Sequence, residues 1–286
     1  MVGIFDIGSN SVRLGILEEG RTKEKLLRTT RLGEGLSEGV LTEASIRRSI
    51  DAMLEMRALA QRAGVVRFFA FATEAVRRAK NGVDFARAAE AETGIPVEIL
   101  PGETEAEIAY LGGVPTEYGG VFDVGGASTE IYVKTPEEIY RKSVPVGCVI
   151  LKTACGEDLK KLRAFSEENA AKYGNVPKGT LYGIGGTATT LTAFGLKLEK
   201  YDPDRVTGQV VTVNALKKMA EELSAMSPEE RVLAGIPRGR SDVIVGGAVW
   251  LYTLLETIGH DSFVASDRDN MEGYFTLLKN RGAIEQ

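Results

Sequence analysis

The sequence predicts an α/β protein of two domains with like topology, each a mixed sheet flanked by helices. Three observations carry that expectation. The stretch at 5–16 (FDIGSNSVRLGI) recurs at 122–133 (FDVGGASTEIYV), a constant offset of 117 residues. That period is too long for a solenoid, whose repeats run roughly 20–50 residues, and it suits a duplicated domain. Apolar runs with strand periodicity alternate with helical patterns in both halves, and a length of 286 residues matches about two domains. The boundary falls in the glycine- and proline-rich stretch 112–120, giving domains 1–117 and 118–286, with the terminal helix within reach of the first.

The elements follow in order. Strands over 2–7 and 11–17 flank the first turn, and 25–31 adds a third. Thr42 is a natural N-cap for a helix whose apolar Ile46, Ile50, Met53, Leu54 and Ala58 share a face, and Gly64 stops it. The apolar run 65–72 reads as a strand buried on both sides. A short helix opens at 73–78, another covers 84–93, a strand covers 97–100 and a helix covers 103–111. In the second half a strand-turn-strand repeats, a strand spans 138–146 and a helix 157–173. Strand 180–184 leads into Gly183-Ile184-Gly185-Gly186-Thr187 and a helix to Phe194. Ser227-Pro228-Glu229-Glu230 is a capping box, the stripe Ile244, Ala248, Leu251, Leu255 and Ile258 marks a helix, and a strand at 262–265 precedes a helix from Asp269.

Glycine makes up 33 of 286 residues, about 12% against a usual ~7%, and the excess gathers in turns. A net charge of −5 offers no general attraction to nucleic acid or an anionic membrane, so neither is an expected partner. A polyanion would need local clusters of amides, Arg, Lys and metal. No apolar run reaches the ~18 residues of a membrane span, and a first strand from Val2 leaves no signal peptide in the reading. Cys148 and Cys155 lack metal-ligand spacing, so a reducing cytoplasm is expected. The single histidine, His260, sits in a predicted solvated turn, which leaves catalysis to carboxylates, metal and backbone.

The two matching turns suit an anion. Small residues let successive amides converge on it, and Asn10, Ser11, Ser128 and Thr129 add hydroxyl and amide donors. Asp6 and Asp123 end strands beside these turns, where a carboxylate holds Mg²⁺ directly or through water. Gly185, Gly186 and Thr187 read equally as an anion site at a helix start and as a tight strand-to-helix connection. Arg77, Arg78 and Lys80 follow a buried strand at the edge where α/β ligands collect. A cation at the start of a helix opposes the dipole, which favours Arg77 facing a phosphate. Glu103, Glu105 and Glu107 open a helix as ordinary dipole partners, but Glu105 lies off the face shared by the other two. Gly246-Gly247 inside a helix points to close packing.

These residues give the chain a resemblance to the exopolyphosphatase and guanosine pentaphosphate phosphohydrolase (Ppx/GppA) family, within the actin-like ATPase superfamily. The stretches that carry it are 6–14, 72–77, 102–106, 123–126, 128–130, 183–187 and 240–244. The resemblance implies two domains of duplicated actin-like (ribonuclease H-like) topology, with the active site in the cleft between them. It implies Mg²⁺-dependent hydrolysis of a terminal phosphoanhydride bond, with Mn²⁺ as a substitute ion, polyphosphate or guanosine pentaphosphate as substrate, and a homodimer as a compatible assembly. Glu105 matches the catalytic base, with Arg77 and Glu130 beside it as catalytic groups. Asp123, Glu130 and Asp6 match metal positions. Gly8, Asn10, Ser11, Arg13, Gly125, Gly126, Ser128, Cys148, Gly185, Gly186, Thr187 and Arg240 match phosphate-holding positions. Pro101 stands where the family often has Ser, and Ala127 replaces a frequent third glycine. Long members carry further C-terminal helical domains, so a long polyphosphate channel is not part of this expectation. Two other functions use similar turns: a non-catalytic sensor of nucleotide alarmones, and an ATP-dependent small-molecule kinase.

Overall fold

The structure, a computed structural model, describes residues 1–284. The chain divides into two compact units, Gly113–Asp269 and a discontinuous one made of Met1–Gly112 with the chain from Asn270 onward. No helix among the described residues is long and apolar enough to cross a membrane.

The first unit is built on five strands, β1 (Val2–Ile7), β2 (Ser11–Glu18), β3 (Arg21–Thr29), β4 (Arg67–Ala72) and β5 (Val97–Ile99), in the order β3-β2-β1-β4-β5. Strands β1, β2 and β3 pair antiparallel, whereas β1, β4 and β5 run parallel. The second unit holds β6 (Gly119–Val124), β7 (Thr129–Lys134), β8 (Ile139–Val144), β9 (Leu181–Ile184), β10 (Val210–Thr212) and β11 (Ser262–Ala265). Read from β8, its order is β8-β7-β6-β9-β11-β10, with β6, β7 and β8 antiparallel and β6, β9 and β11 parallel. Strand for strand, this is the first sheet again with β10 added at the edge. The duplicated topology predicted from the repeat is therefore the one found, and both sheets are mixed and flanked by helices.

Every residue of β1 and of β6 is buried, because each lies in the middle of its sheet with helices over both faces. In the first unit, the Asn270–Asn280 helix supplies Met271, Tyr274, Phe275 and Leu278 to a core shared with Ile4, Leu17, Phe71 and Ile108. Gly273 lets that helix lie directly on the Gly102–Gly113 helix: a Cβ there would sit 1.7 Å from the Ile108 carbonyl oxygen. In the second unit, the Ile244–Thr257 helix is buried over nearly its whole length and centres on Trp250. Its Gly247 admits Thr187 and the Cys148 sulfur, which would lie 2.6 and 3.0 Å from a Cβ, so close packing accounts for Gly247, while Gly246 is the looser of the two, its nearest neighbour Leu151 Cβ at 3.2 Å.

Several elements depart from expectation. The helix predicted over 157–173 is found as Leu159–Ala170, its start capped by the Asp158 carboxylate accepting from the amides of Lys160 and Lys161, followed by a short 3-10 turn at Ala171–Tyr173; the Cys148–Cys155 helix before it was not expected from the sequence. The strand expected over 25–31 starts at Arg21 and ends at Thr29. The amphipathic Val213–Ser224 helix, capped by Thr212, lies in a stretch for which the sequence suggested no element. His260, expected in a solvated turn, is half-buried, and burial lowers its pKa.

Candidate active site

The two repeated turns are built the same way. Gly8 N–H donates to Ser11 O at 3.0 Å, and Gly125 N–H donates to Ser128 O at 3.0 Å. A Cβ on Gly8 would lie 3.3 Å from Ser11 O, and one on Gly125 3.3 Å from Ser128 O. Carbonyls of each turn are tied back by a neighbouring element. Ser9 O accepts from Gly33 N–H, and Asn10 O accepts from the amides of Thr30 and Arg31. Gly125 O accepts from Cys148 N–H at 3.0 Å, and Gly126 O accepts from Val149 N–H at 2.8 Å. A peptide plane whose carbonyl is anchored on one side presents its N–H to the other, which is the arrangement an anion-binding turn requires. The close approach needs Gly147, where a Cβ would lie 2.4 Å from Gly125 O. Sequence reasoning passed over Gly147, whose only signal was its place before the Cys148 helix.

One substitution distinguishes the two turns chemically. Asp6 lies directly opposite Arg13 across β1 and β2, and its carboxylate accepts from both Nε and Nη2 of Arg13. At the corresponding positions of the second unit Asp123 lies opposite Glu130. Directly opposed residues share a sheet face, and like charges there repel. Both carboxylates are buried, at 7% and 1% exposure. Glu130 accepts from the Ser143 hydroxyl at 2.7 Å, and the start of β7 is fixed by Trp250 Nε1 donating to Thr129 Oγ1 and by Tyr173 O–H donating to Thr129 O. The metal role expected of Asp6 thus falls on a carboxylate already matched by a guanidinium. The second unit concentrates two negative charges instead. Among the described residues no group of three or more His, Cys, Asp or Glu side chains is arranged to hold a metal ion unaided.

The third glycine turn belongs to the helix itself, which starts at Gly185. Gly185 has φ +76°, and the Asp123 carboxylate lies where its Cβ would be, with Oδ1 at 2.2 Å. Arg240 lies on Gly186 in the same manner, its guanidinium carbon 2.3 Å from the Cβ position, and its Nη1 donates to Thr190 Oγ1 at 2.8 Å. The Thr187 hydroxyl donates to Val124 O at 3.1 Å and touches Cys148 Sγ at 3.1 Å, tying this helix to the end of β6. Burial pushes the Cys148 thiol up to about 11, so it is a neutral packing group behind the turn. The second unit therefore gathers Asp123, Gly125, Gly126, Ser128, Glu130, Gly185, Gly186 and Arg240 around the C-terminal ends of β6 and β9.

In the first unit Arg77 and Glu105 meet. Arg77 Nη1 donates to Glu105 Oε2 at 3.1 Å and to Leu100 O at 2.6 Å, and its Nη2 donates to Glu74. Of the three glutamates that open the Gly102–Gly113 helix, only Glu105 is buried. Burial works against the Arg77 charge, but Glu105 and Glu74 outweigh it and raise its pKa. The dipole argument for Arg77 does not survive: the helix is only Glu74–Arg78, so Arg77 lies in its last turn, where a cation is favoured. What orients Arg77 is the pair of carboxylates. Glu74, 6% exposed, was not among the expected site residues because its position reads as routine N-terminal acid.

The sequence profile of the Ppx/GppA phosphatase family matches residues 21–279. The chain belongs to that family. Exopolyphosphatase 2 of Mycobacterium tuberculosis is 30% identical to it over 95% of this chain and 96% of its own length. The bifunctional 3-dehydroquinate synthase/phosphatase of Fusobacterium nucleatum is 28% identical over 94% of this chain, which spans 45% of that protein's length. Among solved structures, the Ppx/GppA family member of Aquifex aeolicus superposes with a TM-score of 0.80 at 31% identity, covering 99% of both chains. The Ppx/GppA assignment extends across both units, so the Arg77–Glu105 pair and the acidic Asp123–Glu130 pair both fall inside the matched region.

Proposed function

We propose that the chain is a phosphoanhydride hydrolase that releases terminal orthophosphate from inorganic polyphosphate or guanosine pentaphosphate, with Glu105 as general base. The observation that carries this reading is the buried Glu105–Arg77 pair: one carboxylate, selected from three by burial, held beside a guanidinium at the C-terminal ends of parallel strands. Membership of a phosphatase family and relatives named for both substrates support it.

Hydrolysis of such a bond needs a water in line, a group to take its proton and positive charge on the non-bridging oxygens. Glu105 accepts the water proton at its carboxylate. Arg77, pinned by Glu74 and the Leu100 carbonyl, donates to a phosphate oxygen without having to reorganise. In the second unit, the amides and Ser128 hydroxyl of the second turn, with Arg240, offer donors to phosphate oxygens. A divalent ion fits the Asp123–Glu130 pair, because two buried carboxylates opposed on one sheet face are hard oxygen donors of the kind Mg²⁺ takes. Mg²⁺ typically takes one or two carboxylates and completes its shell with water and substrate oxygens. When bound, Mg²⁺ or Mn²⁺ would supply Lewis-acid charge to the phosphoryl oxygens.

Glu105→Gln tests the reading by phosphate release from polyphosphate in the presence of Mg²⁺. The expected loss in kcat is about 10²–10⁴-fold with KM and Tm near wild type. Turnover by this variant at the wild-type rate would end the assignment.

A further inference from the structure

We propose that Arg231 is a positioning residue, which with Glu157 as counter-ion fixes the turn that places Arg240 over Gly186. The inference rests on the reading of Arg240 as a phosphate contact and goes beyond it by naming what aims that contact.

Arg231 is completely buried, and its guanidinium makes four hydrogen bonds. Nε donates to Leu223 O at 2.8 Å, Nη1 to Ser241 O at 2.7 Å and to Glu157 Oε1 at 2.9 Å, and Nη2 to Glu157 Oε2 at 2.8 Å. It thereby joins the end of the Val213–Ser224 helix, the loop before the Leu159–Ala170 helix and the carbonyl that follows Arg240 directly. In the turn Arg238–Arg240, Arg240 N–H donates to Pro237 O, the Ser241 hydroxyl donates to Arg238 O, and Arg240 O accepts from Val243 N–H. Arg231 adds a buried tie from Ser241 O to the end of the Val213–Ser224 helix and to Glu157. Arg240 has little room to err, because its guanidinium carbon lies 2.3 Å from where a Gly186 Cβ would be. Removing Arg231 takes the donor from the Leu223 and Ser241 carbonyls as well as from Glu157, so a loss of stability is expected beside any effect on KM, and the two are read separately. A forked guanidinium bridging three segments defines an orientation that an apolar side chain does not.

The experiment measures phosphate release from inorganic polyphosphate with Mg²⁺, with Tm as a folding control, for Arg231→Met, Arg240→Ala and the double variant. In Arg231→Met, Glu157 is part-exposed and keeps Lys152 at 3.1 Å, so no buried charge is stranded. A remote phosphate contact serves ground and transition states alike, so its loss raises KM and leaves kcat in place. Arg240→Ala is expected to raise KM about tenfold or more, Arg231→Met somewhat less, and the double variant no more than Arg240→Ala alone. A purely structural Arg231 would lower the active fraction at constant KM, and that result overturns the proposal. So does a double variant whose effects multiply. If Arg240→Ala leaves KM unchanged, the phosphate reading of Arg240 falls, and this inference with it. A KM rise in Arg240→Ala but not in Arg231→Met removes only the inference. Should Arg231→Met not fold, Glu157→Gln gives the same decision: a smaller KM rise supports positioning, and a fall in kcat alone overturns it.

Discussion

Arg13 and Glu130 occupy the same place in the two repeats, one opposite Asp6 and the other opposite Asp123. That single difference sets opposite charges face to face in the first unit and two carboxylates face to face in the second, which favours the second unit for the proposed divalent ion. Removing one of the two charges should have opposite effects on metal use and on metal-free stability. Glu130→Gln keeps an oxygen for the Ser143 hydroxyl. It is expected to raise the Mg²⁺ concentration for half-maximal activity about tenfold or more. In chelator, relief of like-charge repulsion should leave its Tm equal to or above wild type; a large drop would show that the pair is not under electrostatic stress. A second residue-scale effect is set by Glu157, whose carboxyl the hydrogen bonds from Arg231 hold down at about 2. A depressed carboxylate contributes stability fully above its ordinary value near 4.5 and loses it as pH falls towards the folded value. The Tm gap between wild type and Glu157→Gln should therefore narrow from about pH 5 down to about pH 2.5, as thermal scans across that range would record. The repeat made Asp6 and Asp123 visible in the sequence. Glu74 was not visible, because an acid at a helix start has an ordinary explanation until its burial is known.

At the scale of elements, glycines mark where backbone approaches backbone. Gly273→Ala would place a methyl 1.7 Å from Ile108 O and push the terminal helix off the one that carries Glu105. Its expected cost is about 2–3 kcal/mol, with activity falling as the helix moves. Gly246→Ala is the contrast: its methyl would meet Leu151 Cβ at 3.2 Å, a contact a small shift relieves. Removing a mid-helix glycine also returns about 1 kcal/mol, so the net change is expected near zero. Urea unfolding of both variants checks the pair, and similar losses in each would refute the distinction. The sequence marked Gly246 and Gly247 as packing positions but gave no sign for Gly273 or Gly147, since a glycine's neighbour across space is not written beside it. The helix holding Arg77 was misjudged for a related reason. Five residues carry too little periodicity to reveal where a helix ends, so the side of the dipole was read the wrong way.

For the whole molecule, the discontinuity of the first unit has a consequence for folding. Residues 113–269 form a continuous chain with their own core around Trp250, Leu251 and Phe263. Residues 1–112 lack the helix that supplies Met271, Tyr274, Phe275 and Leu278 to the first core. Expressed separately, 113–269 is expected to show a cooperative thermal transition by circular dichroism, and 1–112 to show none; a folded 1–112 would mean that the terminal helix is dispensable. The amino-acid sequence determined by itself the two-fold repetition, most of the strands, the glycine turns and the family. All of these rest on local pattern: period-2 strands, turn residues and a repeat offset, each readable along one dimension. Only the tertiary structure decided that Glu105 rather than Glu103 or Glu107 is buried, that Asp6 meets Arg13 where Asp123 lies opposite Glu130, that Glu74 binds Arg77, and that Gly147 backs the second turn. Those are facts about which side chains meet across strands and helices, and burial and charge pairing exist only once distant segments have been brought together.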